Sequence, residues 1–132
     1  MTSTRRDLAL VAGPFAVSGV LHLVRPQIFE SIVPRFLPRR RELVLGSGIA
    51  ELACAAAVLH PATRRAGGWA SAALLVAVFP ANVQMAVDAA RSSRTSGLFT
   101  AGTVARLPLQ WPLVRAAANL ARSPRGAGPA TR

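Results

Sequence analysis

Apolar residues along this chain gather into four long runs, at 8–24, 43–59, 67–87 and 98–120, separated by short stretches in which arginine, proline and small polar residues concentrate. A helix rising ~1.5 Å per residue needs about 20 largely apolar residues to cross a ~30 Å hydrocarbon core. The pattern therefore predicts an all-α protein: a four-transmembrane-helix bundle forming one membrane domain over residues 1–121. The first run covers only about 25 Å, so flanking residues must complete its span. It follows Arg5 and Arg6 in the manner of a secretory signal, but its end lacks a small-x-small cleavage site and further apolar runs follow.

Between the first two runs, Pro26, Pro34 and Pro38 exclude a long continuous helix. Ile28, Phe29, Ile32 and Val33 still share one helical face, which predicts a short interfacial amphipathic segment between helices 1 and 2. In the second run, Ser47, Gly48, Glu51, Ala55 and Val58 recur at i, i+3, i+4 spacing and form a packing face with a small-residue notch. The third run contains Pro80, which has no N–H for the carbonyl of Val76 and predicts a kink. Asn82 is placed either to cap that freed carbonyl or to bridge to a neighbouring helix. The fourth run is the least apolar, since Arg106, Pro108, Pro112 and Arg115 interrupt it. Arg115 lies near its end and can snorkel to the interface. Beyond it, residues 122–132 are rich in Pro, Gly and Arg and predict a disordered basic tail.

Two charges change the picture. Glu51 and Arg106 lie well inside apolar runs, where each would cost ~2.5 to 3.5 kcal/mol facing lipid. The expected solution turns them towards each other inside the bundle. With His22, Asn82 and Gln110 they make a candidate buried polar cluster that includes every run, and Gln110, one turn beyond Arg106, is placed to steady its guanidinium. One polar group per helix is what fixes helix register, and equally what a proton relay or a polar ligand pocket requires. Histidine is the side chain suited to proton transfer near neutrality, although a lone intramembrane histidine is more often a satisfied hydrogen-bond donor.

Composition narrows the partners. The chain has 132 residues, is 52% hydrophobic and 16% charged, and carries a formal net charge of +11 that comes entirely from arginine. Most arginines flank the apolar runs, and with 5% aromatics no stacking platform accompanies them, so the basic residues read as anchors at anionic headgroups rather than as a nucleic-acid surface. The lone Cys54 cannot form an internal disulfide or a thiol pair, and reads as a small residue at a helix contact. No metal site, no catalytic serine constellation and no phosphate loop is expected: His22 and His60 lie at opposite ends of different runs.

Five short motifs occur in order: Gly19-Val-Leu-His22-Leu-Val-Arg-Pro, Val33-Pro-Arg-Phe-Leu-Pro, Ser47-Gly-Ile-Ala-Glu51, Phe79-Pro-Ala-Asn82-Val-Gln-Met-Ala and Arg106-Leu-Pro-Leu-Gln110. In these the chain resembles the DoxX-like family of small membrane proteins over residues 8–120, and departs from its pattern in Arg115 and the basic tail. The resemblance implies a four-helix membrane bundle with both termini on one side. It also implies an accessory or anchor subunit of a quinone-linked or oxidative-stress redox module, with a membrane oxidoreductase as partner. On this reading the chain has no independent catalytic activity and no intrinsic cofactor, with quinone as the candidate ligand. A proton-coupled transporter and a membrane scaffold or assembly factor are the alternatives. The expected location is a bacterial inner membrane, multi-pass, with cytoplasmic termini, because a basic tail is easier to leave behind than to translocate.

Overall fold

The computed structural model describes residues 3–124, and among these it is all-helical, with no strand. Four long helices, α1 (Ser3–Val24), α3 (Arg40–Leu59), α4 (Arg64–Arg91) and α5 (Gly97–Arg122), are joined by tight connections, with the short α2 (Pro26–Glu30) between the first two. α2 is the expected amphipathic segment, opened by Pro26 at its first turn, where a missing N–H costs nothing. Ser96 caps α5 by accepting from the N–H of Phe99 at 3.1 Å.

The long helices form a ring in the order α1, α3, α4, α5, each packed on two neighbours. All adjacent pairs are antiparallel, as paired positions show: Gly19 meets Gly48, Gly67 meets Ala57, Asn82 meets Gln110, and Asp7 meets Asn119. Close approaches at three of the four contacts depend on glycine, with Gly67 set against Ala57 and Val58 at the α3–α4 contact. A Cβ on Gly48 would stand 2.7 Å from the Cβ of His22, and one on Gly68 would stand 2.5 Å from the backbone nitrogen of Ala121. Small residues let backbones approach without leaving voids. Gly46, by contrast, has open space around it, so only part of the glycine-rich start of α3 belongs to the notch.

At the α3–α4 turn, side chains close the helix ends. Arg64 donates to the carbonyls of Val58 and Leu59, Thr63 donates to that of Ala57, and Arg65 reaches across to the carbonyl of Ala121. These carbonyls lie at helix C-termini, where a cation or hydroxyl replaces the missing intrahelical donor. The hydrophobic core sits in this half of the bundle, built from Val11, Phe15, Val58, Leu75, Ala117 and Leu120. The opposite half, beneath α2, is less tightly filled and holds Glu51, Asn82 and Gln110.

Polarity is inverted relative to a water-soluble bundle. Ile49, Val76, Leu98, Leu109 and Trp111 are exposed, Leu98 at 86%, while Asp7, Glu51, Ser71, Asn82, Thr103 and Gln110 are buried. Three helices, α1, α3 and α4, are long and apolar enough to cross a membrane. α5 is long enough but falls short in apolarity, because Arg106, Gln110, Arg115 and two prolines lie along it. Several boundaries differ from expectation. α1 begins at Ser3 and carries the buried Asp7, which accepts a hydrogen bond from Asn119. α4 is continuous through Pro80, as the single run 67–87 implies, but extends to Arg64 and Arg91. Arg122, expected to open the disordered tail, is the last residue of α5 and lies over the ring of Trp69 at 5.8 Å; the rest of that predicted tail, 125–132, lies outside the described residues.

Candidate functional site

Glu51 is at the centre of the bundle's looser half. It falls on the inward stripe of α3 with Gly48, Ala55 and Val58, and only 6% of it is exposed. The neighbouring turn of α1 supplies its contacts. Ser18 Oγ donates to Glu51 Oε1 at 3.1 Å, and His22 Nδ1 lies 3.4 Å from Oε2. His22 Nδ1 also stands 2.6 Å from the carbonyl oxygen of Ser18. A carbonyl can only accept, so Nδ1 carries a proton in this arrangement. Phe29 of α2 stacks on the imidazole with ring centroids 3.8 Å apart and planes 15° apart. Thus α2 holds the orientation of His22, and the close Gly19–Gly48 crossing is what brings α1 near enough to reach Glu51.

The expected Glu51–Arg106 pair does not form. Contacts between basic and acidic side chains within 4 Å among the described residues are His22–Glu51, Arg39–Glu42 and Arg41–Glu30. Arg106 is exposed and acts on Glu51 only at longer electrostatic range. The reason is geometric: α3 and α5 are diagonal in the ring, while α1 is beside α3, so a side chain on α1 intervenes first. Gln110 does not steady Arg106 either. Its Nε2 donates to the carbonyl of Leu75 at 2.5 Å, and its Oε1 accepts from Asn82 Nδ2 at 2.9 Å. Leu75 immediately precedes Val76, the residue whose carbonyl Pro80 leaves without its helical donor. Asn82 therefore bridges helices rather than capping its own.

Two cavities flank this centre. One, of about 280 Å³, is roofed by the α2–α3 connection through Phe29, Val33 and Phe36 and continues between α3 and α4. The other, of about 370 Å³, lies along the α1–α5 seam against Phe15, Leu21, Leu109 and Leu113. Glu51, Asn82, Arg106, Phe29 and Val78 line both, so the cavities adjoin at the polar centre; His22 borders the first and Gln110 the second. The five sequence-derived candidates are thus gathered around one space, although not in the pairing expected. Two buried oxygens in the first cavity accept or donate no hydrogen bond: Glu51 Oε2 and Ser47 Oγ.

Sequence reasoning passed over Ser18, Phe29 and Asp7. Ser18 lies one turn before His22, and that i, i+4 spacing is a signal that both face one partner. Cys54 is buried beside Ser71 at the α3–α4 contact, and no group of three or more His, Cys, Asp or Glu among the described residues has the placement to hold a metal ion.

Comparison with curated proteins and with solved structures returns no match. A family model described as Domain of unknown function (DUF8561) matches residues 11–121, a stretch that takes in the whole polar centre and both cavities' polar walls, and the chain belongs to that family.

Proposed function

We propose that this protein is an integral membrane protein whose four long helices all cross the bilayer, and that it serves as an accessory or anchor subunit lodging a membrane-soluble molecule between its helices for a redox enzyme in the same membrane. One observation carries the reading: an apolar exterior surrounds a polar centre at which two largely apolar cavities adjoin. An aqueous bundle would gain from the reverse distribution, whereas lipid favours this one. α5 belongs among the spans because it forms the fourth wall of the ring, with Thr103 and Gln110 inward and Val104, Leu109 and Trp111 outward.

The redox assignment rests on the DoxX-like resemblance, and the cavities supply the space such a subunit needs. Quinone is the candidate occupant under that resemblance. A bacterial inner membrane with residues 3 and 122 on the cytoplasmic side is the matching placement, since a basic tail is easier to leave behind than to translocate.

Affinity purification of the full chain from its own membranes, in a detergent or polymer that retains lipid, tests this. The expected result is a membrane oxidoreductase in constant ratio to the chain, with quinone in the extract above the level of bulk lipid. Recovery of the chain with neither would contradict the accessory role.

A further inference from the structure

The geometry points to an occupant of the α2-side cavity other than an oxidised quinone, whose oxygens only accept: a neutral amphiphile whose head is a hydroxyl group, a long-chain alcohol or an alkylphenol, held between Ser47 and Glu51. This rests on the membrane placement proposed above but not on any redox partner. Three features select the head group. Glu51 Oε2 and Ser47 Oγ are buried, lack hydrogen bonds and line the same cavity; His22 Nδ1 lies 3.4 Å from Oε2, but its proton is engaged by the carbonyl of Ser18. They belong to residues four apart on α3, so their side chains stand on one face, one turn from each other. A single hydroxyl can donate to the carboxylate oxygen while accepting from the serine O–H, satisfying both orphaned atoms with one oxygen. Were Glu51 protonated, the same hydroxyl could accept from it and donate to the serine, so the match holds in either state.

A charged head meets both signs here: Glu51 in the wall opposes a carboxylate or phosphate, and Arg106 at the border opposes an ammonium, so a neutral head is the one that neither repels. An ether or ester offers acceptors only and leaves Glu51 Oε2 without a donor when it is ionised. The remaining lining suits an apolar body: Phe29, Ile32, Val33, Leu43, Val44 and Val78. Its volume of about 280 Å³, adjoining a second space of about 370 Å³, is the size of a site for a small ligand rather than for a lipid with two chains.

Binding to the full chain in nanodiscs tests the assignment, with empty nanodiscs as the control for partition into lipid. The probes are 4-octylphenol, its methyl ether 4-octylanisole, and decanoate. The phenol should show a saturable component of one molecule per chain and bind about tenfold tighter than the ether, the difference one well-placed hydrogen bond makes. Ser47→Ala, which removes one hydroxyl from a position that tolerates a small side chain, should shrink that preference, and Glu51→Leu should abolish it. Equal affinity for phenol and ether, tighter binding of decanoate, or partition without saturation would each overturn the proposal. Because the comparison of phenol with ether uses the unaltered chain, failure of a variant to fold does not blunt it. A negative result here alongside a co-purifying oxidoreductase would remove the hydroxyl assignment and leave the accessory role standing.

Discussion

Gly68→Ala should destabilise the folded bundle by about 3 kcal/mol, at the upper end of what one methyl group forced into a packed interior costs. The added Cβ would stand 2.5 Å from the nitrogen of Ala121, 2.7 Å from the carbonyl oxygen of Ala117 and 2.9 Å from the Cα of Ala121. All three are backbone atoms of one helix, so no side chain can rotate away, and relief requires α4 and α5 to separate. That contact carries Arg65 to the carbonyl of Ala121 and adjoins Leu120 in the core, so separation would loosen both. Gly13→Ala is the matched control. Nothing lies within 4 Å of a Cβ built there, and the substitution should be neutral or stabilise by up to about 1 kcal/mol through helix propensity. Equilibrium unfolding in sodium dodecyl sulfate mixed micelles, followed by helicity, measures both. Equal behaviour of the two variants would mean that α4 and α5 do not approach as described.

Gln110→Leu should cost roughly 1 kcal/mol, because it strands the buried Asn82 amide and removes a second donor from the Leu75 carbonyl. The carbonyl of Leu75 keeps only the helical N–H of Phe79, and the Asn82 amide loses its acceptor. Hydrogen bonds between helices in lipid average nearer ~0.6 kcal/mol each, since the unfolded chain also finds partners there. Burial of the stranded Asn82 amide keeps the cost at or above that average. The coupling distinguishes a bridge from simple loss of packing. Asn82→Leu combined with Gln110→Leu should cost less than the sum of the two single changes, because the second removes a group the first has already stranded. Additive losses in the same unfolding measurement would show that the two amides act independently. Arg106→Gln provides the contrast: with no ion pair to Glu51 within contact distance, it should leave the unfolding midpoint nearly unchanged.

Periodicity made the helices legible, and proline spacing made α2 legible. Ring order was not, and the candidate site turned on it. Which of His22 and Arg106 meets Glu51 depends on whether α1 or α5 lies beside α3, and no single helix encodes its neighbours. Gly48 was readable as a notch from its small neighbours, yet its use is specific: it admits His22 rather than an arbitrary side chain. Asn82 and Gln110 were readable as polar residues in apolar runs, while their mutual bond and the Leu75 carbonyl required the antiparallel register of α4 and α5. Asp7 escaped notice because it stands beside Arg5 and Arg6 before the first apolar run, where an acid reads as surface. Only the longer α1 buries it against Asn119.

The arrangement as a whole places a dry core at the α3–α4 end and a polar centre with cavities at the α2 end. Phe29 joins the two levels of organisation, since it belongs to α2, stacks on His22 and borders both cavities. Everything proposed for the site requires hydrocarbon outside the ring. Nitroxide labels placed singly at Ile49, Val76 and Leu109, each about 60% exposed on a different helix, report that surroundings directly in a Cys54→Ala background reconstituted in bilayers. Collisions with dissolved oxygen should dominate at all three positions, including Leu109 on the less apolar α5, and a water-soluble nickel chelate should scarcely reach them. Free access of the chelate to these labels would put water where the account requires lipid and would contradict it.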